Sequence, residues 1–250
     1  MTDDARGPSG KRAAMPLIEK RIAALDWNRL TASLDADGNA VISMLLAPEE
    51  CRALAALHAE DDRFRSRVVM AHHGYGRGEY RYFAYPLPGL VNGLRTSLYP
   101  RLASLANRWN ETMGLDVRYP EDHAAFLRVC HRAGQTKPTP LLLRYEEGDY
   151  NHLHQDIYGE HVFPLQVATL LSAPGTDFTG GEFVLTEQRP RMQSRVEAVP
   201  LNQGDAVIFA VRHRPIRGSR GFYRAIMRHG VSRLRSGHRQ TLGIIFHDAQ

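Results

Sequence analysis

Lysine is nearly absent from this chain of 250 residues: Lys11, Lys20 and Lys137 are the only three, and the net charge of +5 is carried by arginine. Cysteine is scarcer still. Cys51 and Cys130 stand far apart and form no CxxC pair, which argues against a disulfide framework and against thiolate zinc sites. Both read as small buried apolar residues. No run of about 18 apolar residues occurs, and the opening MTDDARGPSGKRAAMP has no apolar stretch after its charges. Neither a membrane span nor a signal peptide is therefore expected, and the cytoplasm is the expected location. The length suits one well-buried domain.

The charge is unevenly placed. Between Arg189 and Arg239 twelve arginines and no lysine stand against Glu197 and Asp205, twelve minus two, or about +10 in one segment. Such a block attracts polyanions, nucleic acid foremost. A merely solvated Arg-rich face is the plain alternative.

Residues 1 to about 15 are polar and read as a disordered tail, leaving 16–250 as a single domain with a helical part to about 120 and a strand-rich core over about 124–250. Leu17, Ile18, Ile22 and Leu25 recur at helical spacing. Pro48 suits a first helical turn, with Glu49 and Glu50 at its positive end. Leu90, Leu94, Leu98, Leu102, Leu105 and Trp109 predict a long helix that Pro100 kinks or splits and Gly114 ends. After about residue 124 the period changes. AFLRVCH (125–131), PLLLRY (140–145), VFPLQVATLLS (162–172), EFVLTE (182–187), DAVIFAV (205–211), FYRAIMR (222–228) and QTLGIIFH (240–247) read as short strands between turn signals such as TGG and NQGD. The fold class is α+β, with a β-sandwich or jelly roll under an N-terminal helical layer.

NHLHQD (151–156) carries the chemistry. Residues two apart on a strand share a face, so His154 and Asp156 can hold one ion, with His152 pointing the same way. As His-x-His-x-Asp the stretch fits the front of a two-zinc hydrolase site, but the position after the aspartate, where that motif needs histidine, is Ile157. As His154-x-Asp156 it needs one more histidine, because two histidines and a carboxylate on one face leave three positions open for a cosubstrate and oxygen. His213, His229, His238 and His247 are available. His229 stands out. Arg239 follows ten residues later, after a Gly237 turn and beside Thr241 on one strand face, where a guanidinium can grip a carboxylate bidentately with the threonine hydroxyl assisting. His213 competes, in poorer register with Arg224.

These blocks, RYEEGDYNHLHQD (144–156), FTGGEFVL (178–185), GDAVIF (204–209) and HGVSRLRSGHRQTLGIIFH (229–247), resemble the Fe(II)/2-oxoglutarate-dependent dioxygenases of the prolyl-hydroxylase-like branch. The resemblance implies a double-stranded β-helix with His154, Asp156 and His229 as metal ligands. It also implies Arg239 as partner of the distal 2-oxoglutarate carboxylate and Tyr145 as a further cosubstrate contact. The cofactors it implies are Fe(II) and 2-oxoglutarate, used with O2, and ascorbate as a reductant in vitro. One departure is VRHRPIRGSRGFYRAIMRH (211–229), read as an Arg-rich hairpin inserted before the distal histidine.

With GYGRGEYRYFAYPLP (74–88) included, the chain is similar to a group of bacterial oxygenases described as acting oxidatively on damaged, alkylated DNA. That similarity implies hydroxylation with release of succinate and CO2, and oxidative dealkylation of DNA held by the Arg-rich face 189–239. Tyr75, Tyr80 and Tyr82 are candidates to stack on an extruded base, or else pack in a structured loop. A protein side-chain hydroxylase and a non-catalytic sensing module are the alternatives.

Overall fold

The structure is a computed structural model that describes residues 15–219 and 221–250. The tail expected over residues 1 to about 15 lies outside the described residues, save that Met15 opens the first helix. The elements in chain order are α1 (Met15–Ala23), α2 (Trp27–Asp37), β1 (Asn39–Ile42), α3 (Pro48–Ala56), β2 (Phe64–Val69), β3 (Gly76–Arg77), β4 (Glu79–Phe83), α4 (Gly89–Thr112), α5 (His123–Arg132), β5 (Leu141–Tyr145), β6 (Tyr150–His154) and β7 (Leu165–Leu170). They continue with β8 (Phe178–Gly180), β9 (Phe183–Gln188), β10 (Arg195–Val199), β11 (Ala206–Ala210), β12 (His213–Gly218), β13 (Gly221–Val231), β14 (Leu234–Gly237) and β15 (Arg239–Ile244).

A seven-stranded sheet, β1-β11-β7-β15-β5-β4-β2, faces a smaller sheet, β10-β9-β13-β6-β3, with β12 paired to β13, and every ladder between these strands is antiparallel. Phe183 of β9 and Phe209 of β11 meet across the interior at 5.0 Å between ring centroids. The larger sheet is covered on both sides. Leu142, Val167, Ile208, Leu242 and Ile244 point outward into one buried cluster with Ile18, Leu34, Leu98 and Trp109 of the helices, while their strand neighbours face the second sheet. Being packed on both faces explains why β7 and β11 are buried throughout, β11 (AVIFA) wholly apolar and β7 (LQVATL) broken only by Gln166 and Thr169. Each such leucine or isoleucine contributes roughly 1.5–3 kcal/mol by leaving water.

Several expectations change. AFLRVCH is helical: it lies in α5, where the Asp122 carboxylate accepts the Ala125 N–H at 2.8 Å and His123, Phe126 and Cys130 are buried at helical spacing. A short apolar run has no period of its own to separate strand from helix, and the cap decides. Pro100 does not split α4, which runs on to Thr112 because Leu98, Tyr99, Leu102 and Ala103 bind both halves to the core. The N-terminal part is not purely helical, since β1, β2 and β4 complete the larger sheet. EYRYF alternates, yet its burial is set by strands distant in sequence.

His123 and His247 are buried in this core, and burial, reinforced by Arg95, pushes each down to about 4. A histidine held below its unfolded value costs nothing above about pH 6.5 and progressively destabilises the fold as pH falls toward the folded value. By pH 5 each costs about 2 kcal/mol, at ~1.4 kcal/mol per pH unit. We expect the urea midpoint to drop steeply between pH 6.5 and 5, before ordinary carboxylates titrate; a flat midpoint there would contradict neutral burial.

Candidate active site

The smaller sheet brings the two distant histidines together. His229 of β13 lies directly opposite His154 of β6, and the register shifts immediately afterwards. Gly230 occupies that irregularity, where a Cβ would come 2.7 Å from the Asn151 carbonyl oxygen, so only glycine lets the two strands close beside the histidines. β6 ends at His154, so Asp156 does not reach the site by strand alternation. Beyond the strand end the Gln155 amide donates to the Met227 carbonyl at 2.8 Å, tying this segment to β13.

His154 Nε2 lies 3.3 Å from Asp156 Oδ1, and His229 Nε2 lies 3.4 Å from Asp156 Oδ2. The imidazole centroids are 4.2 Å apart. Among the described residues this is the one cluster of three or more potential ligands, its candidate atoms all within 4.8 Å of one another. Neighbouring ligand atoms on an octahedral ion at roughly 2.1 Å stand about 3 Å apart, so both carboxylate–imidazole separations lie within a few tenths of an ångström of what one ion requires. His154 Nδ1 faces the His152 carbonyl at 2.7 Å, which places the proton on Nδ1 and leaves Nε2 free to bind metal. The Tyr158 hydroxyl donates to Asp156 Oδ1 at 3.2 Å.

Burial alone would raise the Asp156 carboxyl, but His154 and His229 hold it well below the usual range. Burial opposes charging His154 too, yet Asp156 outweighs it and raises that imidazole, whereas His229, walled by Phe209 at 4.6 Å, is lowered by burial. His152 stays outside the cluster, its exposed ring set edge-on to Tyr150 at 5.1 Å. His213, half-buried on β12, His238, exposed, and His247, buried where its Nδ1 accepts the Phe163 N–H at 3.2 Å, stay outside it too.

The cluster opens onto a cavity of about 400 Å³ between the sheets. Its floor is the inward face of the larger sheet, and the small Ala168 and Gly243 at its middle make the room. Arg239 and Tyr145 are register partners at one end. Arg239 is 2% exposed, donates to Thr241 Oγ1 at 2.7 Å, and has its Nε without a partner among the described residues. Its guanidinium lies 5.7 Å from the Tyr145 ring and 6.0 Å from that of Phe178. Burial pushes the Tyr145 hydroxyl up to about 12, so it remains a neutral donor. The predicted His154, Asp156, His229, Arg239, Tyr145 and Thr241 thus share one chamber.

Tyr75, Tyr80 and Tyr82 reach its lining as well, although the glycines around them read equally as a loop. Tyr158 and Gln166 also line it and were not singled out from the sequence; a lone glutamine in the apolar run LQVATL is the signal that points to the latter.

The segment 189–239 does not form one basic face. Arg214 is 1% exposed and bound to Glu187, Arg189 pairs with Glu187 at 2.7 Å, and Arg239 lies in the cavity. Arg191, Arg212, Arg217, Arg224, Arg228, Arg233 and Arg235 remain at the surface. The hairpin expected at 211–229 is present as β12 and β13.

A family described as "oxygenase, catalysing oxidative methylation of damaged DNA" matches residues 78–249. The chain belongs to this oxygenase family. The match covers all six predicted cavity residues of the oxygenase. Two proteins of Mycobacterium tuberculosis, from strains CDC 1551 and H37Rv and both described as uncharacterized, are each 50% identical to it over 167 residues, 67% of this chain and 72% of theirs. Its fold is that of solved 2-oxoglutarate-Fe(II) oxygenases. A Burkholderia pseudomallei oxidoreductase of the 2OG-Fe(II) oxygenase family superposes with a TM-score of 0.53 at 15% identity, covering 90% of this chain and 93% of that one. A Trichoplax adhaerens prolyl hydroxylase, solved with a hypoxia inducible factor peptide fragment, gives 0.51 at 14% identity, with 94% and 93% covered. No helix among the described residues is long and apolar enough to cross a membrane.

Proposed function

We propose that the oxygenase uses Fe(II), 2-oxoglutarate and O2 to dealkylate damaged DNA. The observation that carries this reading is a two-histidine, one-carboxylate cluster opening into a chamber that also holds a buried arginine with no carboxylate partner among the described residues. The two facing sheets are then the double-stranded β-helix, with His154, Asp156 and His229 as the metal's protein ligands.

Such a metal, charged with 2-oxoglutarate and O2, supplies an oxidant for a C–H bond and releases succinate and CO2. The chain's residues supply placement. Asp156 stays ionised between the two imidazoles, and the His152 carbonyl fixes the His154 ring so that Nε2 faces the ion. Phe183 and Phe209 wall His229 with apolar surface, which keeps water away from the reacting centre. Arg239, seconded by Thr241 and faced by the neutral Tyr145 hydroxyl, anchors the distal carboxylate of the cosubstrate.

Substrate class rests on the family description and on charge. Oxygen inserted into an N-methyl C–H bond gives a hemiaminal that collapses to formaldehyde, so the methyl group is lost rather than gained. Arg212, Arg217, Arg224 and Arg228 ride the exposed β12–β13 hairpin, and arginines there can neutralise phosphates.

The test is release of formaldehyde and succinate from N-methylated single- and double-stranded DNA by the purified protein with Fe(II), 2-oxoglutarate and ascorbate, with His154→Ala as blank. Equimolar formaldehyde and succinate, absent from the variant, are expected. Succinate without formaldehyde would move the substrate to a protein side chain. No succinate would refute the cofactor assignment.

A further inference from the structure

Two buried polar groups of the cavity floor are left with donors unused among the described residues. One is Arg239. The other is Gln166 of β7, which is 4% exposed and whose Nε2 meets no acceptor. Strand alternation places Gln166 on the same inward face as Ala168 and Leu170, and it lines the cavity. A carboxamide buried without partners costs free energy that an apolar residue of equal size would not. Its neighbours across the ladders are apolar. Phe209 is its register partner on β11, and the pairing of Val167 with Ile244 sets it beside Ile245.

Position separates the two groups. Ile245 lies six residues along the chain from Arg239, roughly 20 Å at strand rise, so Gln166 and Arg239 stand at opposite ends of the floor. Phe209, beside Gln166, packs its ring 4.6 Å from that of His229. Gln166 is therefore at the metal cluster's end of the chamber, away from the guanidinium that suits a dicarboxylate. A ligand held by Arg239 does not answer the need of Gln166, and a second ligand beside the metal does.

We propose that Gln166 is the specificity residue of the oxygenase, hydrogen-bonding the polar edge of the alkylated base and so holding its methyl group at the metal. The inference rests on the dealkylation reading. A primary amide presents one donor and one acceptor side by side, which matches an edge that offers the converse pair. The N6 and N7 positions of adenine form such an edge, and methylation at N1 leaves it free. The apolar surroundings sharpen the selection, because a substrate lacking the acceptor leaves the amide unpaired.

The experiment compares wild type with Gln166→Met, which keeps length and volume, and with Gln166→Leu should the first fold poorly. Three quantities are read: thermal midpoint, binding of a single-stranded oligonucleotide carrying one N1-methyladenine to protein without added metal, and turnover. We expect an unchanged or higher midpoint, because an unpaired buried amide is removed. Oligonucleotide affinity and kcat/KM should fall together, each roughly 10- to 100-fold. Unchanged kcat/KM on the methylated oligonucleotide would overturn the role, as would an equal loss of substrate-free succinate, which would place Gln166 with the cosubstrate. If wild type makes succinate but no formaldehyde from the oligonucleotide, the dealkylation reading itself fails, and with it this assignment.

Discussion

Replacing Arg239 with methionine is expected to raise the stability of the free protein and to suppress most of its response to 2-oxoglutarate. The two effects have opposite sign and one cause. Arg239 is 2% exposed, and its partners among the described residues are a threonine hydroxyl and the faces of two aromatic rings. Arginine does not give up its charge in a protein, so the fold carries a cation that is incompletely compensated. An apolar side chain of similar length removes that cost, worth on the order of 1 kcal/mol or more. On the proposed reading, the cosubstrate carboxylate is the missing partner. Deleting one member of a buried, hydrogen-bonded charge pair costs roughly 2–5 kcal/mol of binding, or about 30-fold to several-thousand-fold in Kd. Thermal shift measures both sides. Wild type should gain about 2.7 kcal/mol at 2-oxoglutarate a hundredfold above Kd, and Arg239→Met should start higher and gain less than about 1 kcal/mol at the same concentration. A variant that starts lower, or that gains as much from 2-oxoglutarate as wild type, would remove Arg239 from the cosubstrate site.

The site was more legible in the sequence than the layer beneath it, for a physical reason. Histidines and a carboxylate at ligand spacing and an arginine at a strand start are rare residue types in demanding patterns, so His154, Asp156, His229 and Arg239, which the structure gathers in one chamber, stand out in the sequence, whereas AFLRVCH is an apolar run whose period is ambiguous until Asp122 caps it. Spacing misled where it was read too literally. Asp156 joins His154 from beyond the end of β6, where Gln155 ties the chain to β13, and His152, which strand alternation would have recruited as well, stays outside the cluster. The arginine block looked like one surface because net charge along a chain carries no orientation. Arg214 instead reaches inward, binding Glu187 and the Asp35 and Ala36 carbonyls at the end of α2, and so fastens the hairpin to the helical layer. Gln166 is the converse case: a glutamine in a mostly apolar strand passes for tolerance until its face is known.

The largest stability effect is expected far from the metal, at Asp248. The sequence reads as strand to residue 247, but β15 stops at Ile244 and the chain leaves the sheet because Arg95 captures it. From the middle of α4 that guanidinium donates to the carbonyls of Ile245 at 2.9 Å and of Phe246 and His247 at 3.1 Å, and to Asp248 Oδ1 at 2.8 Å. His131 and the Tyr85 hydroxyl hold the other carboxylate oxygen at 2.8 and 3.0 Å. Arg95 and Asp248 are 1% and 0% exposed. Burial works against the Asp248 charge, but Arg95, His131 and Tyr85 outweigh it and lower its pKa, so the pair stabilises above the ordinary carboxylate range and is lost as pH falls below it. Asp248→Ala strands a buried cation and should cost about 3–5 kcal/mol, read as a large drop in urea midpoint. The double variant Arg95→Met, Asp248→Leu should recover much of that loss, because no charge is then left alone. Since β15 also carries Arg239 and Thr241, the single variant should weaken the 2-oxoglutarate thermal shift while leaving every cavity residue intact. A loss under 1 kcal/mol with the shift unchanged would mean that the C-terminal turn does not anchor the strand.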